Sequence, residues 1–280
     1  MQGTETIKSE KKHIGIWAGS FQALWACRSW CVIALLLSVL RDYVLDGDDY
    51  ILCVNYLVHL AIRTLVCLPV MTWMTHSSEN FNFLAKLKWN TLRRFIQYYV
   101  LLDLIVIVPV VLIFSLITGR FFPSVQYMSQ PENMSAVVVS AVIALAIMWM
   151  VFVFLSTILP AALTQDSDGI RRAIARGRKT AWSVTSRALI GPLAWCLGCA
   201  IVVDVFQSIA THALMTFEIS PEDAFAMNLV TALNLVLTNI QFVVLEIMLA
   251  VIIVGAYQLG EARLVNDSAP NAETEQSEAT

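Results

Sequence analysis

The stretch AVVVSAVIALAIMWMVFVFLSTILPAAL, from Ala136 to Leu163, contains no charged residue. A helix needs about 20 mainly apolar residues to cross the hydrocarbon core of a bilayer, and this stretch exceeds that length. Because lipid offers no hydrogen-bond partners to the backbone, such stretches must be helical. The sequence therefore predicts an all-α fold, a polytopic transmembrane helical bundle of six spans. The other five spans are Leu24–Leu45, Ile51–Met74, Phe95–Thr118, Ala188–Leu214 and Asn228–Tyr257.

The composition of the whole chain agrees with this prediction. Of its 280 residues, 58% are hydrophobic and 14% charged, and the mean hydropathy is +0.70. A soluble domain carries about 25% charged residues, so this chain lacks the polar side chains to cover a water-soluble globule. It has no phosphate-binding glycine loop, no HExxH or GxSxG motif, and no nucleic-acid-binding module. We expect no cofactor and no nucleic-acid partner.

Lysine and arginine lie almost entirely on one side of the predicted spans. One set of connections and termini holds fourteen of them, and the opposite set holds only Arg41 and Arg120. Short basic connections face the cytoplasm, so both termini are predicted there, in a multi-pass bacterial inner-membrane protein. The predicted parts are a partly amphipathic cytoplasmic segment at 1–23, a six-span membrane domain at 24–258 and a disordered acidic tail at 259–280.

The connection before the fifth span has an amphipathic pattern. From Gly169 to Ala181, apolar residues recur at helical spacing, and the positions between them are mainly basic. This pattern is typical of a helix that lies on an anionic membrane surface. The alternative is an ordinary basic connection that only sets the topology. Asn80–Phe95 and Ile14–Trp25 show weaker versions. The candidate lipid-headgroup ligands are Arg171, Arg172, Arg176, Arg178 and Lys179.

Ionisable residues inside the spans are the clearest candidates for a functional site. A charge at the centre of a bilayer costs about 2.5–3.5 kcal/mol on the insertion scale, so it normally faces protein or water. One hypothesis is a path for ions or protons, and the other is a set of arginine–carboxylate pairs that hold the bundle together. The residues are Arg28, His59, Arg63, Asp103, Asp204 and Glu246.

Cysteines in the first and fifth spans are weak candidates for thiol or metal chemistry. Cys27 and Cys31 lie four residues apart, and Cys196 and Cys199 form a CxxC. A thiol oxidoreductase or a soft-metal site needs such pairs. However, a redox pair needs an activated thiolate, which an apolar surrounding disfavours, and cysteine is also a common small packing residue. We therefore predict no metal.

Two consecutive segments carry a resemblance to a known family. They are FLSTILPAAL, from Phe154 to Leu163, and GIRRAIARGRKTAW, from Gly169 to Trp182. Their pattern resembles the six-span membrane domain of bacterial glycerophosphodiester phosphodiesterases and related bacterial inner-membrane proteins. The catalytic domain of that family has no counterpart in this chain. The resemblance implies a membrane-embedded accessory or scaffold and transfers no catalytic residue.

Three functional hypotheses follow from the sequence. The first is a non-enzymatic inner-membrane accessory or scaffold that acts through the lipid bilayer, its anionic headgroups or a membrane-protein partner. The second is a small ion- or proton-coupled transporter that uses the intramembrane charges, which requires a water-accessible cavity reaching Asp103, Arg63 or Asp204. The third is a membrane thiol oxidoreductase or metal-binding protein at Cys196 and Cys199.

Overall fold

The computed structural model describes residues 15–44, 52–76, 88–118, 133–164, 169–216 and 224–268. Within these ranges the chain is helical, which confirms the predicted all-α fold. A one-turn π-helix, Leu189–Leu193, joins the seventh helix to the eighth. The α-helices are α1 (Ile16–Ala26), α2 (Arg28–Val44), α3 (Leu52–His76), α4 (Trp89–Thr118), α5 (Met134–Phe154), α6 (Ile158–Leu163), α7 (Ile170–Ala188), α8 (Ala194–Thr216) and α9 (Ala224–Ser268).

Helix α9 is the central element of the bundle. It packs against α1, α2, α3, α7 and α8, and its residues Ile247, Met248, Ala250 and Val254 are almost completely buried. The outer helices instead expose apolar side chains such as Leu116 on α4 and Leu145 on α5. A large exposed apolar exterior around a packed interior requires lipid as its solvent.

Five helical segments are long and apolar enough to cross a membrane, which makes this a multi-pass membrane protein. They are Tyr56–His76, Trp89–Ile117, Met134–Phe154, Ile170–Ala210 and Asn228–Asp267. Helices α1 and α2 meet the same criterion only together, and they meet at an angle of 85°. The described residues thus contain five candidate spans, or six if this bent pair is one span.

The bend lies at Cys27, inside the predicted first span. Helix α1 buries one face of small residues, Gly19, Ser20 and Ala23, and packs against α9. Small residues allow this close approach between membrane helices. The sequence around the bend contains no glycine or proline, so it offers no residue that typically marks a change of helix direction.

Three further boundaries differ from the predicted spans. The predicted fourth span is interrupted after Phe154, and the short helix α6 that follows is entirely buried. The basic helix α7 leads directly into α8 through the π-turn, which contains Pro192, a usual position for a local helix distortion. Helix α9 continues to Ser268, so the first part of the predicted tail is helical.

Packing against α7 accounts for the extension of α9. Gly260 lies against Arg176, because a Cβ atom at this glycine would lie 2.8 Å from the Cβ of Arg176. Glu261 accepts hydrogen bonds from Arg172 and Arg176, and Lys179 pairs with Asp267. These contacts give the last turns of α9 partners outside the apolar span. The predicted tail residues 269–280 and the predicted segment 1–14 lie outside the described residues.

Candidate functional site: a charged cavity in the membrane domain

The polar face of α3 forms the base of the site. His59, Arg63 and Cys67 follow one another at intervals of four residues, so they lie on one face of the helix. Tyr56 precedes His59 by three residues and lies on the same side. Helix α3 packs against α2 and α9, which places this polar row against protein instead of against lipid.

Arg63 and Glu246 form an ion pair between α3 and α9. Arg63 Nε lies 2.8 Å from Glu246 Oε1, although the atoms are not aligned for a hydrogen bond. Glu246 is only 4% exposed, and its second oxygen accepts a hydrogen bond from Cys67 Sγ at 3.3 Å. The Arg63 guanidinium also lies over the ring of Tyr99, with 5.3 Å between Cζ and the ring centroid. These contacts hold both charges in the interior of the bundle.

Asp103 on α4 is the second carboxylate of the site, and it is held less tightly. Its Oδ1 lies 4.0 Å from Arg63 Nη1, the limit of an ion pair. Its Oδ2 accepts a hydrogen bond of 2.9 Å from the Tyr56 hydroxyl. The side chain is 21% exposed. Arg63 therefore lies between two carboxylates but pairs closely with only one of them, Glu246.

A polar network closes one end of this row. Arg41 pairs with the adjacent Asp42, and Arg41 Nη1 lies 2.8 Å from His59 Nδ1. Since a guanidinium can only donate, His59 must accept at this nitrogen. Asn239 on α9 donates to Asp42 Oδ2 at 2.9 Å and accepts a hydrogen bond from Ser38. The network ties α2, α3 and α9 together.

The charged cavity has a volume of about 590 Å³ and lies beside these residues. Most of its wall is apolar and comes from α4, α5, α9 and the π-helix, and the charged residues form a polar patch within that wall. Binding pockets for small molecules have about 300–1,000 Å³ and the same mixture of an apolar wall with few polar groups. The polar patch consists of Tyr56, His59, Arg63, Asp103 and Glu246.

One side of the charged cavity faces the exterior of the bundle. Leu145, Met148 and Trp149 on α5 and Leu193 at the end of the π-helix line the cavity and are also exposed at the protein surface. Helix α5 packs against α4 and α7, whereas α8 packs against α9 and the π-turn. The opening between α5 and the π-helix therefore faces the region that lipid occupies.

The structure brings four of the six predicted intramembrane residues together. His59, Arg63, Asp103 and Glu246 all line the charged cavity. Arg28 lies elsewhere, with its guanidinium over the ring of Trp25, and Asp204 is exposed on α8. The partner of Arg63 among the described residues is consequently Glu246, with Asp103 at the limit of pairing.

Sequence reasoning missed several polar members of the site, namely Tyr56, Tyr99, Arg41 and Asn239. The helical spacing of Tyr56, His59 and Arg63 was an available signal, since these positions share one face of α3. Tyr99 precedes Asp103 by four residues and offered the same signal on α4. Asn239 lies on α9, and helical spacing did not identify it as a member of the site.

The candidate cysteines do not form one cluster. Cys27, at the bend between α1 and α2, and Cys31, on α2, are buried. Cys196 and Cys199 are half-buried on α8. Of these four, only Cys196 lines the charged cavity. No group of three or more histidine, cysteine or acidic residues suited to a metal occurs in the described ranges. The thiol hypothesis stays a prediction.

The candidate lipid-headgroup residues of α7 divide into two sets. Arg176 is completely buried, donates to Glu261 at 2.5 Å and lies over the ring of Tyr257. Arg172 donates to the same carboxylate, and Lys179 lies 2.6 Å from Asp267. Arg171 and Arg178 are exposed. Lipid binding by this helix stays a prediction, and these two arginines have the accessible guanidinium groups that it requires.

Comparison with known proteins finds no matching protein-family model, no similar curated protein and no similar solved structure. The fold and the site themselves define the class: a multi-pass α-helical membrane protein with an ion pair and a charged cavity inside its membrane domain.

Proposed function

We propose that this chain is a non-enzymatic membrane protein that binds a small amphipathic molecule in the charged cavity. The observation that carries the proposal is the cavity of about 590 Å³, which combines an apolar wall with the polar patch around Arg63, Asp103 and Glu246. An apolar body fits the wall, and a polar group fits the patch. The resemblance to the membrane domain of the glycerophosphodiester phosphodiesterases supports an accessory role of this kind.

The position of the opening supports entry from the lipid phase. Leu145 and Trp149 lie roughly 16 and 22 Å along α5 from its first residue, at 1.5 Å per residue. In a hydrocarbon core about 30 Å thick, this places the opening in the half of the bilayer that the basic helix α7 borders. A membrane-dissolved ligand therefore reaches the polar patch without crossing water.

Transport is the second candidate function. The charged cavity reaches Arg63 and Asp103, which is one part of what a small transporter requires; the other part is access to the cavity from water. Movement of a bound molecule or ion between the two sides of the membrane is the property that separates a transporter from a binding protein. Uptake into sealed vesicles containing the purified protein measures it.

We further propose six spans, with both termini in the cytoplasm of a bacterium and the protein in its inner membrane. Support comes from the basic connections and from exposed tryptophans next to them, Trp89 and Trp182, since tryptophan favours the membrane–water interface. An alkaline phosphatase fusion, active only outside the cytoplasm, is expected to be active after Tyr127 and inactive after Arg178. The reverse pattern contradicts this topology.

Photolabelling tests occupation of the cavity. The protein is placed in nanodiscs that contain a monoacylglycerol, a small uncharged amphipathic molecule, with a diazirine in its acyl chain, and the labelled residues are mapped by mass spectrometry. Leu159 lines the cavity and is otherwise buried, so its labelling requires an acyl chain inside the cavity. Labelling restricted to the outer surface, such as Val202 on α8, contradicts the proposed function.

A variant that fills the cavity provides the control. Val106 lines the cavity on α4, and Val106→Trp adds a large side chain there. Val202→Trp adds the same side chain on the lipid-exposed face of α8. We expect the first substitution to abolish labelling of Leu159 and the second to leave it unchanged.

A further inference from the structure

We infer that the molecule bound in the charged cavity carries a positively charged group, of the class of organic amines and quaternary cations. This inference rests on the proposed function and deepens it, because it names the chemistry of the ligand. Asp103 and Glu246 form the anionic side of the polar patch, and Trp149 and Phe152 form an aromatic wall beside it.

Among the described residues, the charges around the cavity leave one carboxylate in excess. Arg63 is the cation of the polar patch, whereas Asp103 and Glu246 are both acids. Arg41 lies behind His59 and is paired with the adjacent Asp42, so this pair adds no net charge. A carboxylate excess in an apolar surrounding is costly unless a cation compensates it or a proton neutralises it. A cationic ligand supplies that compensation.

Asp103 is the carboxylate that such a ligand meets. Glu246 has Arg63 Nε at 2.8 Å and is nearly inaccessible. Asp103 has the guanidinium only at 4.0 Å, is a fifth exposed, and keeps a single 2.9 Å hydrogen bond from Tyr56. A cation near Asp103 Oδ1 therefore gains a partner without displacing the ion pair between Arg63 and Glu246.

The same residues disfavour a ligand with an anionic group. The guanidinium of Arg63 is flanked by Glu246 and Asp103 and covered by Tyr99. A phosphate or carboxylate that approached Arg63 would have to enter between two carboxylates, and like charges at such distances repel strongly in a medium of low polarity. The site thus disfavours an anionic head group.

The aromatic wall provides a second, independent preference for a cation. Trp149 and Phe152 on α5 both line the cavity, with 6.0 Å between their ring centroids and 41° between the ring planes. Aromatic faces attract ammonium and quaternary groups, and tryptophan does so most strongly. An organic cation can therefore contact Trp149 near the opening and Asp103 further inside.

Tetraphenylphosphonium and tetraphenylborate test the inference, since they have nearly the same shape and opposite charge. Saturable binding of each ion to the purified protein in a neutral detergent is measured by equilibrium dialysis against protein-free micelles. We expect saturable binding of the phosphonium, with an affinity at least about tenfold higher than that of the borate. Equal affinities, or a preference for the borate, overturn the inference.

Three variants test whether binding of the phosphonium ion depends on the Asp103 carboxylate. Asp103→Asn is expected to weaken phosphonium binding at least about tenfold, and Asp103→Glu, which keeps the charge, to retain most of it. Asp204→Asn removes an exposed carboxylate from α8, outside the cavity, and is expected to have no effect. Unchanged phosphonium binding by Asp103→Asn overturns the inference. If Asp103→Asn does not fold, the comparison of the two ions on the unmodified chain still decides.

The photolabelling experiment separates failure of this inference from failure of the proposed function. If the diazirine lipid labels Leu159 but the protein does not prefer the phosphonium, the cavity binds amphipathic molecules without selecting cations, and only the inference is wrong. If Leu159 is not labelled and neither ion binds saturably, the proposed function and the inference are both wrong.

Discussion

Arg63 Nε on α3 and Glu246 Oε1 on α9 lie 2.8 Å apart in the interior of the membrane domain. This pair joins the central helix to the polar row that borders the charged cavity. Removal of the arginine leaves Glu246 buried without a cation, which typically costs about 3–5 kcal/mol. We therefore expect Arg63→Ala to lower the free energy of unfolding by roughly that amount, measured by denaturant titration in mild detergent.

Double variants identify which intramembrane acid pairs with Arg63. The double variant Arg63→Ala, Glu246→Ala is expected to be more stable than Arg63→Ala alone, since it contains no orphaned carboxylate at this position. The double variant Arg63→Ala, Asp204→Ala is expected to recover nothing, because Asp204 is exposed on α8. Recovery with Asp204 instead of Glu246 would contradict the pairing described above.

Gly177 lies at a close approach of α7 to α5. A Cβ atom at this position would lie 2.6 Å from Phe154 Cα and 2.8 Å from the Val153 carbonyl oxygen, both backbone atoms. Backbone cannot rotate aside, so the two helices must separate. We expect Gly177→Ala to lower the free energy of unfolding by about 1–3 kcal/mol, measured by thermal or denaturant unfolding in detergent.

Gly198 on α8 is the matched control for this substitution. A Cβ atom there has nothing within 4 Å, and alanine is the better helix former by about 1 kcal/mol. Gly198→Ala is therefore expected to be neutral or stabilising. An equal loss of stability in both variants would mean that close packing is not the cause.

Hydropathy and charge predicted the helices because both respond to the lipid environment directly. Long uncharged segments such as α5 have no alternative structure in a bilayer. The boundaries were less accurate because they depend on packing between distant helices. The bend at Cys27 accompanies the packing of α1 against α9, and the end of α9 lies against Arg176 of α7.

The members of the site were predictable as residue types but not as pairs. An arginine such as Arg63 inside a span must meet an acid or water, so the sequence identified the residues that needed partners. By depth within the spans, the sequence matched Arg63 with Asp204, since both fall near the middle, whereas Glu246 falls in the cytoplasmic half. Which of them faces α3 is determined by the rotation of α8 and α9 in the bundle, and one sequence does not specify these rotations.

Exposed arginines of α7 are expected to retain anionic lipid. Arg171 and Arg178 are exposed, whereas Arg176 is buried against Glu261. A basic helix at the surface attracts anionic headgroups by about 1 kcal/mol per charge. The double variant Arg171→Gln, Arg178→Gln should therefore retain less phosphatidylglycerol after purification from mixed bilayers, counted by native mass spectrometry, while bound phosphatidylcholine stays unchanged. Equal retention of phosphatidylglycerol would contradict lipid binding by this helix.

The two ion-paired carboxylates of α9 that face α7 are expected to differ in their contribution to stability. Glu261 accepts from the fully buried Arg176, so Glu261→Gln leaves a guanidinium inside the protein without its carboxylate. Removing one partner of a buried pair costs about 3–5 kcal/mol. Asp267 pairs with Lys179, and both side chains are about half exposed, so Asp267→Asn should cost at most about 1 kcal/mol.

The dependence of the stability loss on salt concentration distinguishes Glu261→Gln from Asp267→Asn in the same denaturation experiment. Exposed charges are screened as the Debye length falls from about 10 Å at 0.1 M to about 3 Å at 1 M, so any effect of Asp267→Asn should disappear at 1 M sodium chloride. The effect of Glu261→Gln should persist, because Arg176 is inaccessible to ions. If both substitutions cost the same and both lose their effect in salt, Arg176 is not buried against α9 in the folded protein. The extension of α9 beyond the predicted span would then need another cause.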